Sequence, residues 1–348
     1  VTIAIPAYNE ANYIESVISA FLEQSYPQIE EILIADGGST DGTQEIIEKI
    51  AVTSPKVKLL HNPQKIQSSA LNLMLKEAKG EIFLRADAHC EYAKDYVEKC
   101  VEALLSSEAL NVGGSQRYVA ETPFQAGVAL ASRSFINGGA KYRNTQYNGY
   151  ADTVYLGCFW KKPLLEIAKN QEVFDTTQVT NQDAELNLKL VERKEKAIYV
   201  SSEIKAWYYP RSSWRALCKQ FFKYGRGRYL TATKHPNNAP LRSKVPFLFV
   251  SFVIIASSFD LLIFRGKFYI IQAISSLGVV PVVESFRLVR NLKDNFEEEI
   301  WRGEIENKPS TLIQSYYCFW ALITMPIAYG FGHGYQLIKN QVLRRKGW

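Results

Sequence analysis

Two parts of the chain differ in how apolar and polar residues alternate. Up to about residue 205, short apolar runs alternate with charged segments of helical period. Strands and helices that alternate in this way are typical of a mostly parallel sheet with helices on both faces. The predicted strands are Val1–Ile5, Glu31–Ala35, Val57–Leu60, Ile82–Arg85, Asn111–Tyr118, Val154–Phe159 and Ala197–Val200, and the predicted helices are Asn12–Gln24, Thr43–Ala51 and Ser68–Ala78.

The last third of the chain contains three long apolar stretches. Val245–Phe264 is interrupted only by Asp260, Phe268–Val283 is shorter, and Thr311–Ile338 lacks Asp, Glu, Lys and Arg. The first and third are long enough to cross a bilayer, which takes about 20 apolar residues. Buried helices of a soluble domain are the alternative, but three such stretches favour membrane helices.

A predicted amphipathic segment lies between these two parts. Within Ser212–Thr233, apolar residues follow one helical face and basic residues recur at four-residue steps on another. They are Trp214, Leu217, Phe221 and Phe222, and Arg215, Lys219 and Lys223. This pattern suits a helix in the headgroup region of a membrane, and a helix packed on a protein core is the alternative. The predicted organisation is an α/β catalytic domain at 1–205, an interfacial segment at 206–243 and membrane-associated helices at 244–348.

Composition narrows the class of protein only slightly. Hydrophobic residues at 47% and charged residues at 22% of 348 residues exclude a disordered chain. The net charge of +6 suits phosphate ligands or an anionic membrane without choosing between them. Five cysteines without a Cys-x-x-Cys pair predict reduced thiols in the cytosol. No basic leader precedes the first apolar run, so we expect no signal peptide.

The turns that follow the first two predicted strands have distinctive sequences. The first is Pro6-Ala7-Tyr8-Asn9-Glu10, which lacks the glycine fingerprint of a dinucleotide-binding fold and argues against an NAD enzyme. The second begins Asp36-Gly37-Gly38. An acidic residue at the end of a strand can accept hydrogen bonds from a nucleobase or ribose, and glycines permit a tight turn. A turn with a helix cap is the alternative interpretation.

Two further segments carry candidate catalytic chemistry. In Arg85-Ala86-Asp87-Ala88-His89, alternate residues of an extended segment point the same way, so Asp87 and His89 can face one ion. An oxygen and a nitrogen ligand suit Mn²⁺ or Mg²⁺ carrying a diphosphate, whereas an exposed pair without metal is the alternative. Asp183 follows a loop and opens a predicted helix, either as an ordinary first-turn residue or as a general base.

Together these stretches resemble glycosyltransferase family 2, inverting enzymes of the GT-A fold that use nucleotide-sugar donors. The resemblance covers roughly residues 1–230 and is greatest to bacterial exopolysaccharide transferases of the succinoglycan type. That subgroup similarly has Asp-Ala-His, a Tyr-Gly-Arg segment and hydrophobic C-terminal helices. The matching segments are Pro6-Ala7-Tyr8-Asn9-Glu10, Asp36-Gly37-Gly38-Ser39-Thr40-Asp41-Gly42-Thr43, Asp87-Ala88-His89, Asn181-Gln182-Asp183 and Tyr224-Gly225-Arg226-Gly227-Arg228.

The resemblance implies a role for each matching residue. Pro6, Ala7, Tyr8 and Glu10 would line the nucleotide pocket, and Asp36 would hold the base, usually uracil. Asp87 would contact ribose or metal, His89 would be a ligand of Mn²⁺ or Mg²⁺, and Asp183 would be the catalytic base. Arg85, Arg226 and Arg228 complete the predicted donor-binding residues.

Two segments depart from the family pattern. Gln182 stands where the family usually has an acidic residue, so the role of this position is open. Gln220-Phe221-Phe222-Lys223-Tyr224 matches the Gln-x-x-Arg-Trp motif of processive synthases only loosely. We therefore expect transfer of one sugar per encounter.

The implied reaction is a single displacement in which Asp183 removes a proton from the acceptor hydroxyl. A retaining route would need a second carboxylate as nucleophile, and no motif nominates one. The expected enzyme lies at the cell inner membrane with its catalytic domain in the cytosol. It would move a sugar from a UDP donor to a lipid-linked (polyprenyl-diphosphate) or saccharide acceptor in cell-surface polysaccharide synthesis, without nucleic acid. A nucleotidyltransferase and a catalytically inactive membrane scaffold that binds nucleotide sugars are the alternatives.

Overall fold

The chain forms two compact units, which we describe separately. The computed structural model describes residues 1–137, 141–168, 172–266, 270, 272, 278–345 and 347–348. The sheet unit comprises Val1–Arg117 and Ala140–Tyr208, and the helical unit comprises Tyr118–Gly139 and Tyr209–Trp348. The helical unit thus takes one segment from within the first half of the chain.

The sheet unit is built on a mixed β-sheet. Its strand order is β3-β2-β1-β4-β8-β6-β9-β5, with β7 beside β9. The strands are β1 (Thr2–Ala7), β2 (Glu31–Asp36), β3 (Val57–His61), β4 (Ile82–Arg85), β5 (Cys90–Tyr92), β6 (Asn111–Tyr118), β7 (Gly149–Tyr150), β8 (Tyr155–Trp160) and β9 (Ile198–Tyr208). The helices of this unit are α1 (Ile14–Leu22), α2 (Thr43–Thr53), α3 (Gln67–Glu77), α4 (Tyr96–Ser107), α6 (Lys161–Glu166) and α7 (Gln182–Arg193).

Strands β1 to β4 pair in parallel, and this arrangement creates the edge at which a ligand can bind. Ala7 at the end of β1 pairs with Asp36 at the end of β2, and β4 ends at Arg85 on the other side of β1. Parallel strands place their carboxyl ends at one edge, and ligands of such sheets bind where the strand order reverses. Here the order reverses between β1 and β4.

The predicted strands are confirmed, most of them to within two residues at each end, because they are buried apolar runs. Ile3, Ile5 and Phe83 are fully buried in the core of the sheet. Strand β9 is the exception: it runs from Ile198 to Tyr208, far beyond the predicted end at Val200. Its second half alternates buried and exposed residues, so it contains no continuous apolar run.

The helical unit packs around one long helix. Its helices are α5 (Pro123–Ser132), α8 (Trp214–Lys234), α9 (Val245–Ile263), α10 (Val279–Leu292), α11 (Phe296–Glu299) and α12 (Thr311–Leu337). Helix α12 contacts α5, α8, α9 and α10. Glycines allow a close approach of α8 and α12: a Cβ on Gly225 would lie 1.9 Å from the carbonyl oxygen of Tyr329, and one on Gly332 equally close to that of Phe222.

The prediction of several membrane helices is not confirmed. Among the described residues, one helix, α9, is long and apolar enough to cross a membrane. Helix α12 is present as predicted, but one face of it carries small and polar residues, including Gln314, His333 and Gln336, that are buried against its neighbours. Half of the predicted stretch Phe268–Val283 lies outside the described residues, and its last five residues begin helix α10. The predicted amphipathic helix is present as α8. Its Leu217 is buried in a hydrophobic cluster, as expected for the alternative of a helix packed on a protein core.

Candidate active site

The turn after β1 is hydrogen-bonded to the turn after β2. The N–H of Asn9 donates to Oγ of Ser39 (2.7 Å), and the N–H of Thr40 donates to the side-chain carbonyl of Asn9 (3.0 Å). The N–H of Glu10 donates to Oγ1 of Thr43 (2.9 Å). These polar residues of the two motifs therefore hold both turns together at the edge of the sheet. The ring of Tyr8 remains 54% exposed there, next to Pro6 and Ala7 at the end of β1.

Asp36 is buried at the end of β2, and its carboxylate organises the loop that follows. Its Oδ1 accepts hydrogen bonds from the N–H groups of Gly38 (2.8 Å) and Ser39 (2.9 Å) and from Nε2 of Gln44 (2.6 Å). Gly38 has φ +79°, a left-handed conformation that favours glycine. The structure places Asp36 at the expected edge, and its contact with a nucleobase stays a prediction. Gln44 was not among the predicted site residues.

Arg85 lies between the carboxylate predicted to bind the donor and the carboxylate predicted to act as the base. Its Nη2 lies 3.2 Å from Oδ1 of Asp87, and its Nη1 lies 3.9 Å from Oδ2 of Asp183. Burial by itself would lower the pKa of Arg85, but Asp87 and Asp183 raise that pKa above its ordinary value. The guanidinium is therefore a permanent positive charge between the predicted donor-binding carboxylate and the predicted base.

Tyr92 fixes the backbone at Asp87. Its hydroxyl accepts a hydrogen bond from the N–H of Asp87 (2.7 Å) and donates one to the carbonyl of the same residue (3.0 Å). Burial raises the pKa of Tyr92 well above its ordinary value, so the hydroxyl keeps its proton. The sequence analysis gave Tyr92 no role, because no motif marks it.

His89 is paired with Glu10 of the first turn. Nδ1 of His89 lies 3.1 Å from Oε1 of Glu10, and both side chains are largely buried. A carboxylate that accepts the proton of Nδ1 leaves the lone pair of the imidazole on Nε2, as in many metal sites where a carboxylate orients a histidine ligand. Glu10 was predicted to line the nucleotide pocket, and its pairing with His89 was not predicted.

Binding of a divalent cation by Asp87 and His89 stays a prediction. A carboxylate oxygen and an imidazole nitrogen suit Mn²⁺ or Mg²⁺. Across the residues that the structure describes, no group of three or more His, Cys, Asp or Glu side chains is arranged to hold a metal. The remaining ligands would therefore come from phosphate oxygens and water.

Two glutamines join the same cluster. Nε2 of Gln67, the first residue of α3, lies 3.3 Å from Oδ1 of Asp87. The side-chain carbonyl of Gln67 accepts a hydrogen bond from Nε2 of Gln182. The role that the sequence left open for Gln182 is therefore a contact with Gln67, a residue that no motif had marked.

Asp183 is the most accessible of the predicted catalytic residues. It lies in the first turn of α7, after Asn181 in a left-handed conformation (φ 62°), and its side chain is 42% exposed. Its Oδ1 accepts a hydrogen bond from the N–H of Ala184 (2.8 Å). The carboxylate is thus held by the start of the helix and open to a substrate hydroxyl.

Arg226 and Arg228 lie on α8 in the helical unit. Nε of Arg226 donates to Oε1 of Gln336 (2.8 Å), and its guanidinium lies 4.1 Å from the ring centroid of Trp348. Arg228 is half-buried on the same helix. Binding of a donor by these two residues stays a prediction.

Comparison with known proteins identifies the family of the chain. The family model described as "Glycosyl transferase family 2" matches residues 2–165. The succinoglycan biosynthesis protein ExoA of Rhizobium meliloti (strain 1021) is 35% identical over 247 residues, which span 70% of this chain and 73% of that protein. A second relative, from Methanococcus voltae, is 29% identical over 272 residues, which span 76% of this chain and 83% of that protein. It is a dolichyl N-acetyl-alpha-D-glucosaminyl phosphate 3-beta-D-2,3-diacetamido-2,3-dideoxy-beta-D-glucuronosyltransferase.

A solved structure shares the fold. The mannosyltransferase PcManGT from Pyrobaculum calidifontis, in complex with GDP-Man and Mn²⁺, superposes with a TM-score of 0.52 at 18% identity. The match covers 93% of this chain and 86% of that one. It identifies the mixed sheet with its flanking helices as a GT-A-like α/β fold.

Proposed function

The chain belongs to glycosyltransferase family 2, and from this premise we propose that it is an inverting transferase that uses a UDP-sugar. The acceptor in this proposal is a lipid-linked or saccharide molecule of cell-surface polysaccharide synthesis. The observation that carries the proposal is the cluster at the edge of the sheet in which Arg85 lies against both Asp87 and Asp183. The cluster combines a carboxylate for the donor side, a fixed positive charge and an accessible carboxylate.

Asp183 is the proposed general base. It removes the proton of the acceptor hydroxyl while the hydroxyl oxygen attacks the anomeric carbon, which inverts the configuration at that carbon. Its 42% exposure supports this role, because an acceptor must reach it. Arg85 places its positive charge 3.9 Å from Oδ2 of Asp183, on the sheet side of this carboxylate.

The donor side of the site is assigned to Asp36, Asp87, His89 and the turn after β1. Asp36 and the turn would receive the base and ribose, since they lie at the carboxyl ends of β1 and β2. Asp87 and His89 would hold a divalent ion, which would supply positive charge to the departing diphosphate. Arg226 and Arg228 of the helical unit remain predicted donor-binding residues.

The acceptor is proposed to be presented at the cytosolic face of the inner membrane. Support comes from α9, whose apolar side chains are exposed, among them Leu248, Phe252 and Leu262. Basic residues flank this helix at Lys244 and Arg265. An exposed apolar helix with basic residues at both ends suits contact with lipid and its anionic headgroups.

The test is transfer by the purified full chain with a panel of UDP-, GDP- and dTDP-sugars, Mn²⁺ or Mg²⁺, and polyprenyl-diphosphate-linked saccharides. The expected result is metal-dependent release of UDP, stimulated by the lipid-linked acceptor, with an inverted linkage in the product by NMR. Release of pyrophosphate from UTP and a sugar 1-phosphate, in a parallel assay, would instead identify a nucleotidyltransferase. Nucleotide-sugar binding without turnover on any acceptor would identify a scaffold and contradict the proposal.

A further inference from the structure

Three side chains form a directed hydrogen-bond chain behind the donor side of the site. Nε2 of Gln182 donates to the carbonyl of Gln67, and Nε2 of Gln67 lies 3.3 Å from Oδ1 of Asp87. Gln182 is 3% exposed and belongs to the first turn of α7, whereas Gln67 begins α3. These hydrogen bonds therefore connect the starts of two helices to the segment that follows β4.

Asp87 sets which group of each glutamine donates and which accepts a hydrogen bond. An ionised carboxylate only accepts hydrogen bonds, so Gln67 must present its NH₂ group to Asp87. The carbonyl of Gln67 then faces Gln182, which must also present an NH₂ group. Within the described part of the chain, the buried Oε1 of Gln182 has no hydrogen-bond partner, which indicates that its NH₂ group dictates the orientation of the side chain.

An ionised acid at position 182 is incompatible with these hydrogen bonds. A carboxylate has no proton to donate, so it would repel the Gln67 carbonyl or make the Gln67 amide turn over. Turning over would direct the carbonyl of Gln67 at Oδ1 of Asp87, and two acceptors would then face each other. A neutral glutamine at position 182 can therefore donate a hydrogen bond to the carbonyl of Gln67, whereas an ionised acid there cannot.

We propose that Gln67 and Gln182 are positioning residues that hold the Asp87 carboxylate in the orientation needed for the donor diphosphate and its metal ion. The inference rests on the proposed nucleotide-sugar site. It assigns to Gln182 a function that differs from acid–base chemistry. Residues that orient a metal-binding side chain typically change metal affinity 10- to 100-fold when they are replaced.

The test is calorimetric binding of UDP to the full chain, with and without Mn²⁺. We expect Gln182→Glu to weaken UDP binding 10- to 100-fold when Mn²⁺ is present and to leave the weaker binding without metal nearly unchanged. Gln182→Met removes the NH₂ group that donates to Gln67 without adding charge, so UDP affinity should fall less than in Gln182→Glu. In a double-mutant cycle, Gln182→Glu should cost far less in a Gln67→Ala background, because its effect passes through Gln67.

Gln28→Glu is the matched control, since Gln28 is exposed before β2, at the edge of the sheet opposite the site. Equal losses from Gln182→Glu in both backgrounds, or equal losses with and without Mn²⁺, would overturn the positioning role. Unchanged UDP affinity in Gln182→Glu, with a wild type that binds UDP and Mn²⁺, would also overturn it and leave the proposed function standing. A wild type that binds no UDP would overturn the proposed function itself.

Discussion

The sheet unit and the helical unit bury their polar groups in different ways. In the sheet unit, buried polar side chains such as Asp36 and Arg85 stand at strand ends and bond to the loops around them. In the helical unit, buried polar side chains such as Gln336 and Glu284 lie between helices, and Glu284 is held by Ser134 and Arg287. The first arrangement leaves groups open to a ligand, whereas the second stabilises helix packing.

The surfaces of the two units differ as well. In the sheet unit the apolar residues of β1 and β2 are buried almost completely, as a parallel sheet requires. In the helical unit, α9 exposes a series of large apolar side chains, and a Cβ on Gly332 would collide with α8. The candidate chemistry thus lies in the sheet unit, whereas polar groups of the helical unit stabilise helix packing, and each prediction below tests one side of this difference.

The largest expected effect is the loss of turnover in Asp183→Asn. An amide cannot accept the acceptor's proton, so kcat should fall about 10²- to 10⁴-fold while the affinity for UDP stays near wild type. Steady-state kinetics and UDP calorimetry check this. Asp294→Asn makes the same charge change at an exposed position of the helical unit and should leave kcat unchanged. Near-normal turnover in Asp183→Asn would remove it from the mechanism.

A second effect concerns the pair of Glu10 and His89. Glu10→Ala removes the carboxylate that orients the imidazole, so Mn²⁺ affinity in the presence of UDP should fall about 10- to 100-fold. Glu10→Gln keeps an oxygen that can accept a hydrogen bond from His89, so its Mn²⁺ affinity should fall less. Mn²⁺ electron paramagnetic resonance titrations measure both, with exposed Glu15→Ala as the control. Equal Mn²⁺ affinity in Glu10→Ala and Glu15→Ala would show that Glu10 does not orient a metal ligand.

A third effect belongs to the helical unit. Gly332→Ala places a methyl group 1.9 Å from the carbonyl oxygen of Phe222, so α8 and α12 must separate at a cost of about 1–3 kcal/mol. Gly334→Ala, on the same helix, meets only the ring of Phe247 at 3.1 Å and should cost less. Thermal unfolding checks the order of the two variants. Equal melting temperatures would contradict the close approach of these helices.

The smallest effect is the pH dependence of a buried acid in the sheet unit. Burial by itself would raise the pKa of Glu31, but hydrogen bonds from Lys58, Lys79 and Thr2 hold that pKa below its ordinary value. A lowered pKa stabilises the fold above the unfolded value of 4.5, and this stabilisation is lost as the pH falls through the folded pKa.

Glu31→Gln should therefore cost about 1 kcal/mol at pH 7, a small value because Lys58 is partly in solvent. The difference from wild type should shrink below about pH 4.5. Urea unfolding at several pH values measures it, with exposed Glu48→Gln as the control. A pH-independent difference would show that the ionised carboxylate is not what stabilises the fold.

Much of the sheet unit was predictable because its signals are local. Apolar runs predicted β1 to β4 nearly residue for residue, and the turn sequences after β1, β2 and β4 marked the positions of Glu10, Asp36 and Asp87. The second half of β9 was missed, since alternating exposure there left no apolar run. In the helical unit, apolar stretches predicted helices but not their partners: α9 is exposed and α12 is buried on one face, although both are apolar.

By itself the sequence determined seven of the nine strands, the first three helices, the family and the candidate carboxylates, because periodicity and turn chemistry act between near neighbours in the chain. Only the tertiary structure decided that Arg85 touches both Asp87 and Asp183, that Glu10 pairs with His89 and that Gln67 lies between Gln182 and Asp87. These contacts are decided by which strand and helix ends the sheet order brings to one edge. No local pattern specifies such pairs, since each depends on the register and packing of elements far apart in the chain.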